Sequence, residues 1–221
     1  MDNLSHTEEN YLKAIFKIVE RADKPASTNA ISSEMSTSAA SVTDMIKRLS
    51  DKELTHYEKY KGVKLTEKGN DIATHLIRKH RLWEVFLLEK LDFSWDEVHD
   101  MAEQLEHIQS PELVERLDAF LGFPKFDPHG DPIPDANGNF AYRNQTPLLE
   151  LQPGEAGVVV GVQDHDATFL QYLDRLGLVL GTKVNFLERF EYDESVKIII
   201  NDDREQILSK KVAQNLFIQK Q

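Results

Sequence analysis

Cysteine is absent from the 221 residues. That excludes a disulfide framework, a zinc ribbon and any thiol nucleophile. Long apolar runs are missing too, and nothing approaches the roughly 20 residues that a membrane-spanning helix needs. The first residues, Met1-Asp2-Asn3-Leu4-Ser5-His6, have neither the basic start nor the apolar stretch of a secretory signal. Both absences point to a cytoplasmic protein with no membrane partner. No phosphate-cradling glycine loop is visible either. Gly154 to Gly161 lacks the Gly-x-Gly-x-x-Gly spacing, and Asp131 to Asn139 lacks the ligand spacing and terminal Glu of a calcium loop.

What is present suffices for a folded chain: 40% hydrophobic and 29% charged residues. The length suggests two domains, or two and a small third. The net charge of −12 is unevenly spread. Residues 1–75 carry 11 Lys and Arg against 12 Asp and Glu, residues 76–147 carry 7 against 14, and residues 148–221 carry 8 against 12. An acidic middle repels phosphate and attracts cations. An anionic partner meets least repulsion at the near-neutral first third.

That first third reads as short helices and a hairpin. Ser5-His6-Thr7-Glu8 has capping-box spacing, and Tyr11, Ile15, Ile18 and Val19 follow on one helical face. Ile31 and Met35 mark a second helix; Val42, Met45, Ile46 and Leu49 mark a third. Thr55 to Leu65 surrounds a single glycine with strand formers, which predicts two strands and a tight turn. A long helix follows Thr66. A second capping box, Ser94-Trp95-Asp96-Glu97, opens a helix expected to run to about Ile108. Ser110-Pro111 opens another that ends at Leu121-Gly122. Phe123 to Pro147 holds five prolines and no periodicity, so it reads as a linker. The last third is rich in β-branched runs, such as Val158-Val159-Val160 and Ile198-Ile199-Ile200, with one helix over Phe169 to Leu176. The expectation is a mainly α protein with a small β domain. A winged helix-turn-helix occupies residues 1–75, a helical region with the linker 76–147, and a small β-barrel 148–221.

Two constellations carry chemistry. His99, Glu103, Glu106 and His107 share about a third of one helix circumference, and His80 and Glu84 stand at i and i+4 on the preceding helix. Imidazole and carboxylate without sulfur favour Mn(II), Fe(II), Co(II) or Zn(II); the bland alternative is a solvated acidic face. The other constellation is the third helix. Ser38, Ala40, Ser41, Thr43 and Asp44 are small or polar and allow close approach to a DNA groove, Lys47 follows one turn later, and Lys59, Lys61 and Lys64 stand on the hairpin to meet phosphate. Lysines on a hairpin edge also guard against edge pairing, so a packing role is the competing account. His6, His56 and His75 read as surface or capping histidines, and Asp164-His165-Asp166 as a solvated turn that could lend a ligand.

This order of parts resembles the diphtheria-toxin-repressor family, in particular its manganese-responsive branch. The segments that carry the resemblance are Thr7-Glu8-Glu9-Asn10-Tyr11-Leu12, Ser41-Val42-Thr43, Leu65-Thr66-Glu67-Lys68-Gly69, Arg78-Lys79-His80-Arg81-Leu82 with Glu84, and Val98-His99-Asp100 through Glu106-His107. The linker Gly130-Asp131-Pro132-Ile133-Pro134 belongs with them. The resemblance implies a dimeric regulator with a divalent metal as corepressor. It implies one metal on Asn10, Glu103, Glu106 and His107 and an ancillary one on His80, Glu84 and His99, with His165 of the last domain as a further ligand. Iron-responsive members have Cys where this chain has Glu103; carboxylate in its place suits Mn(II). Manganese regulators often have Asp at the position of Asn10 and Glu at that of Lys13, and an ammonium does not ligate.

The expectation is a homodimeric, Mn(II)-activated repressor of metal-uptake genes that binds a palindromic operator, with no small-molecule substrate and no catalytic residue. The alternatives are an iron-dependent regulator of the same family, a carboxylate metalloenzyme, or a metal buffer. The metalloenzyme would need paired Glu-x-x-His motifs, whereas Glu103 to His107 is an i+4 spacing. A buffer leaves the winged helix unexplained.

Overall fold

The computed structural model describes residues 4–221 except Lys59 and Tyr60, together with all side chains in that range but that of Glu58. The chain divides into two compact units. The first comprises the chain up to His80 with Leu105–Gln109 and Pro134–Asn139; the second comprises Arg81–Gln104, Ser110–Ile133 and Phe140–Gln221.

The first unit begins with α1, His6–Ala22, started by the capping box: the Ser5 hydroxyl accepts from Glu8 N, and the Glu8 side chain accepts from Ser5 N. Helices α2 (Thr28–Glu34) and α3 (Ala39–Asp51) start at Ser27 and Ser38, whose hydroxyls accept from the third residue on. Strands β1 (Thr55–Glu58) and β2 (Gly62–Leu65) pair antiparallel, and Ala26 bridges to Val63 on the far side of β2. Leu12, Ile15, Ile31, Val42, Leu49, Leu54 and Val63 form the core. Of the apolar faces read from the sequence, Tyr11, Ile15, Ile31, Val42, Ile46 and Leu49 are buried, and Ile18, Val19, Met35 and Met45 pack partly buried against them. Gly69, near the start of α4 (Glu67–Leu91), is a packing requirement, because a Cβ there would lie 2.0 Å from the Leu54 carbonyl oxygen.

In the second unit, α5 spans Val98–Leu105 and α6 spans Pro111–Phe120, capped by the Ser110 hydroxyl. Here the structure departs from the sequence reading. Trp95 to Glu97 form turns rather than helix, and α5 stops at Leu105, short of Ile108. Glu106 and His107 therefore lie beyond the helix, and the face they were expected to share with His99 and Glu103 is broken. Leu82 and Val85 of α4, Leu117 of α6 and Ile133 form a small core.

The remaining elements are β3 (Thr146–Pro147), β4 (Ala156–Val162), α7 (Ala167–Leu176), β5 (Lys183–Arg189), β6 (Val196–Ile200), β7 (Arg204–Leu208), α8 (Lys210–Gln214) and β8 (Leu216–Lys220). The sheet order is β3-β8-β4-β5-β6-β7 with every neighbouring pair antiparallel. Its edge strands β3 and β7 do not pair with each other among the described residues, so the expected barrel is an open six-stranded sheet. Val159, Leu170, Leu173, Phe186, Ile198 and Ile218 are among the residues that fill its core. Bulges interrupt β4 against β8 at Val159/Gly161 and β5 against β6 at Phe186/Glu188.

Candidate metal centres and nucleic-acid interface

The candidate DNA face is α3. Its apolar stripe is buried, while Ser38, Ala40, Ser41, Thr43, Asp44 and Lys47 are all exposed. Lys47 Nζ lies 3.6 Å from Asp44 Oδ1, with both side chains more than 70% exposed, so the pair is easily exchanged for a phosphate contact. Lys61 and Lys64 are exposed on the hairpin. Lys59 lies outside the described residues.

The metal-type residues fall into two groups. Those of the first unit gather at α1 and the 105–109 segment. Glu106 is fully buried, and both its oxygens accept from Lys13 Nζ, at 2.6 and 2.8 Å. His80 Nδ1 lies 2.5 Å from Glu106 Oε2. His107 Nδ1 lies 2.5 Å from Glu9 Oε2, its ring stacks on His6 at 4.2 Å, and Gln109 donates to Glu9 Oε1. Burial pulls the Lys79 ammonium below its ordinary range, against the opposing pull of Glu9 and Glu106. Asn10 Oδ1 is buried with no hydrogen-bond partner among the described residues. Glu103 belongs to α5 in the second unit, where its Oε1 lies 3.9 Å from His99 Nε2. As they stand, Glu106 and His107 are already engaged. The central carboxylate is engaged by an ammonium, and the imidazole expected to ligate is tied to another carboxylate.

The second group, entirely in the second unit, is built around Glu84 on α4. Glu84, Asp127 and His129 are 2%, 4% and 1% exposed, and one ligand atom from each lies within 4.8 Å of the others. Two ligands of one ion, each about 2.0–2.6 Å from it, are at most about 4–5 Å apart, so this spacing suits a shared cation. Glu84 Oε1 faces His99 Nδ1 at 3.3 Å and His129 Nδ1 at 3.8 Å. His129 Nε2 is committed to the Trp95 carbonyl at 2.7 Å, which leaves Nδ1 inward, buried and without a hydrogen-bond partner among the described residues. The His165 ring stacks on that of His129 at 4.6 Å. Asp166 serves as N-cap of α7, where bonds from Thr168 and Phe169 hold its carboxyl below the usual range.

The electrostatics agree with that spacing. Burial, then Glu84 and Asp131, push the Asp127 carboxyl upward despite Arg81 and His129. Burial opposes charge on His129, yet Glu84 and Asp127 outweigh it and push the imidazole up. Glu84 contributes to both shifts, and Arg81, whose Nε lies 3.5 Å from Asp127 Oδ2, offsets part of the negative charge. These residues fit a divalent metal with N and O donors.

The structure thus brings Glu84, His99 and His165 into one unit, while His80 is bonded to Glu106 in the other. Sequence reasoning passed over Asp127 and His129 because they sit in a stretch read as a featureless linker. The available signal was Asp127-Pro128-His129-Gly130-Asp131, three metal-type side chains in five residues.

Comparison with known proteins follows the same division. Residues 3–63 match the iron dependent repressor N-terminal DNA binding domain, residues 66–135 the iron dependent repressor metal binding and dimerisation domain, and residues 146–220 the FeoA domain. The iron-dependent repressor IdeR of Mycobacterium tuberculosis is 33% identical over 134 residues, 61% of this chain and 58% of that protein. The chain thus aligns with under two thirds of such curated relatives. A solved manganese-dependent transcriptional repressor in complex with manganese is 34% identical, with a TM-score of 0.86 over 97% of this chain and all of that one. The structure of ScaR with bound zinc is 33% identical, with a TM-score of 0.76 over 97% of this chain and 99% of that one. These are proteins of regulation, not enzymes. The chain belongs to the iron-dependent, or diphtheria-toxin, repressor family of metal-dependent DNA-binding regulators.

Proposed function

We propose that the chain is a metal-dependent, DNA-binding transcriptional repressor that responds to Mn(II) and controls metal-uptake genes. The observation that carries this reading is the buried Glu84–Asp127–His129 cluster, whose ligand atoms lie within 4.8 Å of one another, in a chain whose α3 face is open. Its donors are carboxylate oxygens and imidazole nitrogens, a set that suits Mn(II) and also admits Fe(II), Zn(II) or Co(II). His99 borders the cluster through Glu84, and the ring of His165 covers His129.

DNA recognition falls to Ser38, Ala40, Ser41, Thr43 and Asp44 at the groove, with Lys47, Lys59, Lys61 and Lys64 at phosphates. A second copy of the chain is the natural partner. Leu91, Leu113, Phe120 and Phe123 are 52%, 37%, 65% and 66% exposed on α4, α6 and the turn after it, and such large apolar groups ask for cover. A two-fold dimer reads a palindromic operator, one half-site per copy. Coupling follows from linkage: an ion that binds better to the DNA-competent arrangement raises DNA affinity by the same factor.

Fluorescence anisotropy on a genomic palindrome, titrated with Mn(II), Fe(II) and Zn(II), tests the reading. The expected result is a metal-dependent gain in affinity, led by Mn(II) and removed by Glu84→Gln. Operator affinity unchanged by chelator would sink it. Leadership by Fe(II) would favour an iron-responsive regulator, the metal named for the mycobacterial relative.

A further inference from the structure

Each acidic cluster in this chain raises the same question, namely what neutralises it. Around Glu84, Arg81 Nε lies 3.5 Å from Asp127 Oδ2 and His129 Nδ1 lies 3.8 Å from Glu84 Oε1. At α1 the answer is already in the chain. Glu106 is 0% exposed and Lys13 5% exposed, and the ammonium bonds both carboxylate oxygens. The second carboxylate there, Glu9, is bonded by His107 and Gln109. Lys79 lies in the field of both Glu9 and Glu106. Glu106 thus has its own ammonium, and Glu9 its own bonding partners, before any ion arrives. A divalent cation added beside Lys13 would place like charges together where little water screens them.

The geometry says the same. Lys13 stands one turn after Asn10 and Glu9 on α1 and so shares their face. Its ammonium reaches the carboxylate at charge-assisted hydrogen-bond length, shorter than neutral pairs make. The pair joins residues 93 apart in sequence, tying α1 to the segment after α5. That segment belongs to the first unit, although α5 up to Gln104 belongs to the second. What remains open is Asn10 Oδ1, a buried acceptor without a partner among the described residues.

We infer that Lys13 is a resident cation of this junction: its ammonium occupies Glu106 where a divalent ion would otherwise sit, so α1 is tied to the 105–109 segment without metal. The metal response then runs through Glu84, Asp127 and His129 alone, one ion per chain; this half rests on the function proposed above. Replacing the ammonium with an apolar group of similar length should expose a latent second site, in which Glu106, His107 and Asn10 Oδ1 become available together.

The test is Mn(II) calorimetry on the full chain, with melting in chelator as a second readout. Wild type should bind one ion and Glu84→Gln none. Lys13→Met should bind two, and Lys13→Met with Glu84→Gln one. Lys13→Arg keeps the charge and should stay at one. In chelator, Lys13→Met should melt below wild type and recover with Mn(II), because its buried carboxylate has lost its counter-ion; Lys13→Arg should melt near wild type. A second ion on wild type that survives Glu84→Gln would overturn the inference, as would Lys13→Met gaining no site or Lys13→Arg gaining one. If Lys13→Met does not fold, the stoichiometry of wild type, Glu84→Gln and Lys13→Arg still decides. Failure of the Glu84 centre gives a different pattern: no ion on wild type and one on Lys13→Met.

Discussion

Gly130→Ala strikes the Glu84 centre without touching a ligand. Gly130 has φ +90°, and a Cβ there would stand 2.1 Å from the Val160 carbonyl oxygen and 2.5 Å from Gly161 Cα. Left-handed backbone costs a non-glycine residue about 1–2 kcal/mol. Relieving the overlap means lifting the turn off β4 by about 1 Å to reach ordinary contact. That strains the bond from Val162 N to the His129 carbonyl at 2.9 Å, and the Arg143 guanidinium that donates to the Gly130 and Val160 carbonyls. A backbone bond is worth about 0.5–1.5 kcal/mol and one from a charged donor about 1.5–3, so the total loss should reach about 3–6 kcal/mol. Asp127 and His129 ride on that turn, and loss of such outer support typically weakens metal binding about 10–100-fold. Gly154→Ala is the matched control: its φ is +88°, and an added Cβ meets nothing within 4 Å among the described residues. It should lose only the conformational 1–2 kcal/mol and keep its metal. Urea midpoints and Mn(II) calorimetry on both variants measure the difference. Equal stability losses with equal Mn(II) affinities would refute the close crossing of this turn over β4.

Three further outcomes follow from other parts of the chain. Lys47→Ala should reduce the log–log salt slope of operator binding by about 0.9, the share of one phosphate contact, which anisotropy at several salt concentrations reads directly; an unchanged slope removes Lys47 from the interface. Phe186→Ala should cost about 3–5 kcal/mol by urea titration, since the ring is 1% exposed in the sheet core, and a loss under 1 kcal/mol would mean that the site collapses. Bonds from Gln171 and Ser94 hold the Asp96 carboxyl below its ordinary range, so its contribution is present above the unfolded carboxyl's pKa and lost as pH falls through the depressed folded value. Asp96→Asn should flatten the acid limb of stability, measured by denaturant midpoints between about pH 2 and 6.

The legible features of the sequence were the local ones. Ser5 with Glu8, Ser110 with Pro111, and the single glycine that opens β2 act over three or four residues, and each marks the element it was read to mark. The stop of α5 was not legible. Its capping box put Ser94 in contact with Glu97, yet helix begins only at Val98, and the ligand-type residues continue past Leu105 although the helix does not. A helical wheel assumes the helix that it is meant to reveal, so His99 and Glu103 were grouped with Glu106 and His107, which pack with α1 instead. The openness of the sheet was equally hidden, because pairing of its edge strands is a tertiary choice that strand propensity does not encode.

Absence of periodicity was also mistaken for absence of order. Between Phe123 and Pro134 the chain has neither helix nor strand, yet many of its polar groups are paired, His129 Nδ1 excepted. Asp127 Oδ1 accepts from His129 N and Asp131 N, Phe126 bridges to Pro132, and Ile133 N reaches the Lys125 carbonyl. Arg81 bonds the Pro132 carbonyl and Asp131, and Arg143 lies over the Phe126 ring at 4.0 Å. Prolines restrict φ and remove donors that would otherwise need partners, which is why so short a stretch can be fixed by so few bonds. The consequence is energetic. Asp127 and His129 are already held beside Glu84, so an ion taken up there would meet little ordering cost. A flexible linker bearing the same two side chains would have to be ordered first, at about 1–2 kcal/mol for each backbone residue fixed, and the same donors would then make a far weaker centre.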